Sequence, residues 1–444
     1  MLTQALVTLA LLLSAADSTA AQEPLLPAAD WQYLTDLTEA VVEASRVAPG
    51  AMVGEYGPNS TGGTLIRPGG RECYPAFWIR DYAMSIDAGF ISGEEQRHAL
   101  WLTASLQQDV ERPLSSGSVV PVGAIADHIT FSGKPIFYPG VLDDFEGQGG
   151  PKWGKWPCYD DHFYFVLMAA KFVRETGELS TLHEKNNGKS ILQRMAEAFE
   201  MPPSRADTHL VYATDDARGV NFGFFDTVVH TGDLLFASVL KYEAAIAFAE
   251  LRERQNAMDE AKHYRAIAEA IRRAVPTTFG TESGFLRAST GTSGQADVWG
   301  TAYAVYVGLL DGAEKERACD ALARAYTNGT IAWEGMIRHV PTDMDFSAIS
   351  AWEIAYTAKN TYQNGAYWGT ATGWVCYAIA QVDRALASQL AREYVAHLRK
   401  EDFRLSAERG APWECMHPAG DHRQNPVYMA GVTCPLAAFR RIAR

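Results

Sequence analysis

The 444-residue sequence has little positive charge: 39 lysines and arginines stand against 53 aspartates and glutamates, a formal balance of −14. A chain so charged is repelled by a phosphate backbone and by an anionic membrane surface, so nucleic acid is excluded as a natural partner. Beyond the N-terminal stretch no apolar run approaches ~18 residues, and a membrane-spanning helix in the mature chain is not expected. Neither a phosphate-binding glycine loop nor a dinucleotide fingerprint occurs, and no cofactor is called for. There is no tandem repeat at residue level and no low-complexity linker, so nothing divides the chain into separate units.

What the sequence does have is aromatic residues, 11% of the chain, within an ordinary globular content of 47% hydrophobic and 21% charged residues. Residues 1–21 read as a signal peptide, with an apolar, uncharged run from Ala5 to Ala16 and small residues at Ser18–Ala21. Export to the periplasm or the medium follows as an expectation, with 22–444 as one domain. The six cysteines would then lie in an oxidising compartment, and Cys415 and Cys434, which flank one loop, are the first pair to expect bridged.

Apolar spacing near 3.6 predicts helices over roughly 30–48, 78–91, 95–112, 158–177, 180–200, 231–254, 257–276, 297–311, 313–328, 367–382, 384–401 and 428–442. Their character alternates. Asp297–Leu310 and Tyr367–Val382 are apolar almost all round, and each is followed by a charged, one-sided partner, Glu314–Tyr326 and Arg384–Leu398. Helices of the first kind belong inside and of the second outside. With 30–48 paired to the last segment, six inner and six outer helices make an all-α ring of six hairpins, an (α/α)6 toroid. An open helical solenoid is the alternative, and it would call for more uniform repeats.

Joins from inner to outer helices are short and the reverse joins are long, so the long loops gather at one end of the ring, where function is expected. These loops are alike in composition: Tyr74–Asp81, Trp153–His162, Asn221–Asp233, Gln295–Trp299, Tyr362–Trp368 and Pro412–Asp421 each set a carboxylate or amide beside an aromatic ring. Aromatic faces stack on sugar C–H surfaces, carboxylates and amides read hydroxyls, and a pair of carboxylates breaks glycosidic bonds. A funnel for an oligosaccharide or glycoside is therefore expected. Its binding residues would be Trp78, Arg80, Asp81, Trp153, Trp156, Tyr159, Asp160, Asp161, His162, Phe225, His230, Asp297, Trp299, Trp333, Glu334, Asn364, Trp368 and Trp413. The longest loop, 111–157, with glycines at 147, 149 and 150, would form one wall.

These motifs resemble the glycoside hydrolases built on an α/α six-hairpin barrel, the trehalases and family 63 α-glycosidases first and the glucoamylases more distantly. Trp78–Asp81 is similar to the segment lining the subsite of the cleaved sugar, and Asn425–Gly431 to the lead into the last helix. The resemblance implies that Asp226, before the third inner helix, is the general acid and Glu414, before the sixth, the general base. The chain lacks the trehalase glycine-run signature and has Phe225 where a tryptophan adjoins the acid. The expected activity is an inverting, exo-acting hydrolysis of an α-linked sugar. A polysaccharide lyase on a related toroid and a non-catalytic carbohydrate-binding toroid are the alternatives. Glu334 is the rival for either catalytic role, while Asp233 and Glu353 read as structural carboxylates. No metal is expected; Cys415, His417, His422 and Cys434 are the nearest approach to a zinc set, but their spacing matches no tight zinc pattern. Asn59 and Asn328 head glycosylation sequons.

Overall fold

The computed structural model describes residues 24–71, 73–114, 118–137, 154–215, 218 and 223–444. The expected leader, Trp153 and the glycines at 147, 149 and 150 lie outside the described residues. Twelve α-helices occur among the described residues: α1 (Ala28–Ser45), α2 (Ile79–Ser85), α3 (Gly93–Ser105), α4 (Asp160–Thr176), α5 (Ile191–Glu200), α6 (Leu235–Arg254), α7 (Met258–Phe279), α8 (Val298–Tyr306), α9 (Gly312–Thr327), α10 (Thr372–Ala380), α11 (Arg384–Lys400) and α12 (Ala430–Ala443).

The even-numbered helices form the inner layer and the odd-numbered ones the outer. Helix α8 buries eight of its nine residues, whereas α9 buries six of sixteen, along one stripe. Each even helix packs on the next, and α12 returns to α2, so the ring closes and the fold is an (α/α)6 toroid. Helix α1 packs against α12 and α11, as the pairing of the first and last segments requires. Across the closure the Ser85 and Thr433 hydroxyls hydrogen-bond at 2.8 Å. Outer helices start on local signals: Ser92 with Glu95 and Ser190 with Gln193 form capping boxes for α3 and α5.

The loops at the inner-helix starts are not irregular, as their composition suggests. They build a three-stranded antiparallel sheet, β1 (Ala76–Trp78), β2 (His128–Thr130) and β3 (Pro135–Ile136), with Trp78 opposite His128. They also build a five-stranded antiparallel sheet from β4 (Ala332–Trp333), β5 (Met336–Arg338), β6 (Tyr367–Trp368), β7 (Trp413–His417) and β8 (His422–Pro426), in that order. These strands fix where the loop side chains point.

The expected Cys415–Cys434 bridge is not formed; all six cysteines are free thiols. Cys415 lies on β7 with Sγ 3.6 Å from His422 Nε2, while Cys434 is buried within α12 beside the Met84 carbonyl. Nearness in sequence put them on different elements. Asn59 is also no open glycosylation site, since its Nδ2 is buried and donates to the Val47 and Gly63 carbonyls.

Inner-helix packing leaves no room at Gly373, where an added Cβ would stand 2.7 Å from Ala438 Cβ and 2.8 Å from Pro435 Cα. We expect Gly373→Ala to destabilise the ring by about 1–3 kcal/mol through overpacking between α10 and α12. Chemical denaturation of the variant checks this.

Candidate active site

At the loop end of the ring lies a cavity of about 700 Å³ whose walls include Trp78, Arg80, Asp81, Asp226 and Glu414. Each is delivered by a different local device. Strand β1 ends at Trp78 and runs straight into α2, so Arg80 and Asp81 fall in its buried first turn. Asp226 follows a short 3-10 turn, Gly223–Phe225, ahead of α6. Glu414 is the second residue of β7, held between β6 and β8.

In the cavity wall, Arg80 organises a buried ion cluster. Its guanidinium grips Asp160 through two bonds of 2.6 and 3.0 Å and donates to Asp127 at 2.9 Å. Asp127 in turn holds His128 Nδ1 at 2.6 Å, and the His128 ring stacks on Trp78 at 4.3 Å. Asp161 stands 3.5 Å from the same guanidinium. Asp127, Cys158 and Asp161 bring donor atoms within 4.8 Å of one another, but Arg80 stands among them and supplies the countercharge. Their geometry is that of an ion cluster built on arginine.

Two cavity carboxyls are shifted upward. Burial raises Asp81 to about 6 against the hydrogen bond from Tyr428 and the charge of Arg80. Burial likewise pushes Glu414 up to about 8, against hydrogen bonds from Tyr74 and Asn425 and reinforced by the charges of Asp81 and Asp226. Tyr74 Oη donates to Glu414 Oε1, and Asn425 Nδ2 donates to Oε2 at 2.5 Å. Asp226 Oδ1 accepts from Gln363 Nε2, whose amide oxygen takes the Thr227 amide and hydroxyl at 2.7 Å each. Tyr74, Tyr362 and Asn425 all line the cavity with left-handed backbones, at φ 58°, 43° and 47°. Val427 beside them, at 58°, is a β-branched residue in the same region. Such strain persists only where the surroundings impose it.

Other expected binding residues are placed elsewhere. Asp160 and Asp161 lie behind Arg80. Tyr159 and His162 are buried; His162 Nε2 accepts from the Ile125 amide at 3.0 Å, and burial takes its pKa down to about 3. Phe225 and His230 join Trp352 in an aromatic cluster, and Trp299 stacks on His339 at 4.1 Å while Trp368 meets it edge-on. Asp297 caps α8 through the Gly300 amide at 2.9 Å. Asn364 ties the 350–364 segment together through Ser350, Ala351 and Thr357. Trp156, Trp333 and Trp413 are partly buried and packed against the core. Glu334 is engaged by His397 at 2.7 Å and Lys400 at 2.6 Å and does not line the cavity that holds Asp226 and Glu414.

Sequence reasoning passed over Asp127 and His128, a polar pair inside an otherwise apolar stretch, and Gln363. Tyr74, Asn425 and Tyr428 lie in segments that the sequence marks out, but nothing there singles out those residues. Breaking the Arg80 cluster has a measurable cost: Arg80→Met leaves Asp127 and Asp160 buried without their partner. We expect a loss of about 3–5 kcal/mol in chemical denaturation.

Comparison with known proteins agrees with this architecture. The chain is 28% identical over 184 residues to N,N'-diacetylchitobiose phosphorylase of Vibrio furnissii, covering 37% of this chain but only 22% of that protein. Among solved structures it is similar to a rhamnosidase from Klebsiella oxytoca with rhamnose bound (TM-score 0.54, 13% identity, 93% of this chain and 63% of that one). It is similar also to a structure described as a wild-type glycosidase (TM-score 0.55, 13% identity, 94% and 99%). At such identities these likenesses show the fold alone. The finer likeness to trehalases and family 63 α-glycosidases is not shown by these matches. The model of the glycosyl hydrolase 94 superfamily, catalytic domain, matches residues 150–393, more than half of the chain, and the chain belongs to that superfamily of carbohydrate-active enzymes.

Proposed function

We infer that this chain hydrolyses a glycosidic bond with inversion, removing a terminal α-linked sugar, with Asp226 as general acid and Glu414 as general base. The observation that carries this reading is that two carboxylates, from the loops before the third and sixth inner helices, line one cavity and act on each other's charge. Burial holds the Glu414 pKa at about 8, so the group serves as a base once it has ionised. Glu414 receives a donor on each oxygen, from Tyr74 and Asn425, an arrangement suited to its ionised form. Asp226 then protonates the glycosidic oxygen as the C–O bond breaks. A water attacks the anomeric carbon from the opposite face and gives its proton to Glu414. Trp78 offers the stacking face at this subsite, and Asp81, held by Tyr428, reads a hydroxyl.

Phosphorolysis is the second reading, since the Vibrio furnissii relative is named a phosphorylase. The walls favour water. Asp81, Asp127, Asp226 and Glu414 face the cavity with Arg80, whose charge is already met by Asp127 and Asp160. A phosphate dianion is repelled there, and an attacking phosphate needs no carboxylate base.

Asp226→Asn and Glu414→Gln should each lower turnover at least ~100-fold on an ordinary glycoside. Asp226→Asn alone should keep activity on the matching glycosyl fluoride, whose leaving group needs no proton; the reverse pattern would exchange the roles. The pH profile has a definite sign as well. As the base, Glu414 must be ionised, so kcat/KM should rise with pH and level off only above about 8. Tyr74→Phe removes a hydrogen bond that lowers the Glu414 pKa and should move that limb to higher pH.

A further inference from the structure

A second cavity, of about 740 Å³, adjoins the first and shares Tyr56, Cys73 and Pro75 with it as common wall. It is lined by the segment that precedes β1, with exposed Met52 and Tyr56 among its residues. A leaving group that extends past the shared wall enters this second cavity.

Two arginines line this cavity, and they differ. Arg46 is bound to Glu43 and Glu95, each at 2.6 Å. Arg67 has no carboxylate within ion-pair distance among the described residues. Its guanidinium makes one bond, from Nη2 to the Gly70 carbonyl at 3.2 Å, and its buried Nε donates to nothing. The guanidinium sits close enough to Cys73, in the shared wall, for its charge to act on that thiol. Glu55 also lines the cavity but is exposed and not paired with Arg67. An arginine kept partly buried with spare donors is a fork that fits the oxygens of a carboxylate or a phosphate.

We propose that Arg67 recognises an anionic group on the leaving-group side of the substrate, so that the enzyme prefers glycosides whose aglycone carries a carboxylate or a phosphate. This rests on the hydrolytic reading of the adjoining cavity. The catalytic walls repel an anion, and Arg67 offers it a place in the adjoining cavity, consistent with a substrate neutral at the cleaved sugar and charged beyond it.

The test takes the disaccharide cleaved fastest in a screen and compares it with analogues whose reducing-end unit is a uronate or a 6-phosphate. The wild type should show kcat/KM at least ~10-fold higher on one charged analogue than on the neutral sugar, and which analogue wins identifies carboxylate or phosphate. Arg67→Gln should abolish that preference while leaving the neutral substrate within about twofold; Arg67→Lys should restore part of it. Equal rates on all three substrates, or an Arg67→Gln loss shared equally by all three, would overturn the proposal. Should Arg67→Gln not fold, the wild-type preference and Arg67→Lys still decide. If no glycoside is cleaved at all, the hydrolytic reading fails, and calorimetry with glucuronate and inorganic phosphate decides separately. Tighter binding of either than of glucose, lost in Arg67→Gln and kept in part in Arg67→Lys, supports Arg67 recognition; equal binding rejects it. Phosphate-dependent release of a sugar 1-phosphate would make the bound anion a co-substrate and overturn both readings.

Discussion

The grip of Arg80 on Asp160 and Asp127 is the interaction on which the site depends. It ties the first turn of α2 to the first turn of α4 and to the strand that carries His128, three segments far apart in sequence. His128 then stacks on Trp78, so one guanidinium sets both the ring that lines the cavity and the start of the helix bearing Asp81. A buried charge of this kind is held by geometry: two bonds to one carboxylate and one to another leave little freedom.

The cavity divides its carboxylates by environment. Asp127 and Asp160 are compensated by arginine, and the Asp127 carboxyl is held below the usual carboxylate range by Arg80 and His128 despite its burial. Asp81 and Glu414 are held by neutral donors and are raised, burial leading in each case. Carboxylates pushed apart in pKa by their surroundings are the usual material of acid–base catalysis. Left-handed backbones at Tyr74 and Asn425, the two donors to Glu414, place part of the strain of the loops beside the group they orient.

Much of the scaffold was legible in the sequence, because a helix buried on all sides and one buried on a stripe differ plainly in composition. That contrast in Asp297–Leu310 against Glu314–Tyr326 suffices to place inner and outer layers, and the ring closure through α1 and α12 follows. The strands were not legible. Most are two or three residues long, too short for a period of two to register, and three of the pairings, β1 with β2, β5 with β6 and β6 with β7, join residues tens of positions apart. At the site, Trp78, Arg80, Asp81, Asp226 and Glu414 do meet in one cavity. Trp299 and Trp368 do not reach it, because an aromatic residue at an inner-helix start serves equally well as a wedge between helices. The cysteine pair misled for a similar reason: a short loop in sequence spans two different elements in space.

The central claim is that Asp226 and Glu414 together direct water across a glycosidic bond. Proton NMR of the first-formed sugar, recorded during early turnover of an α-linked substrate in phosphate-free buffer, tests it most directly. The account predicts free sugar released as the β-anomer, before mutarotation. Release of the α-anomer, or no cleavage until phosphate is added, would contradict it.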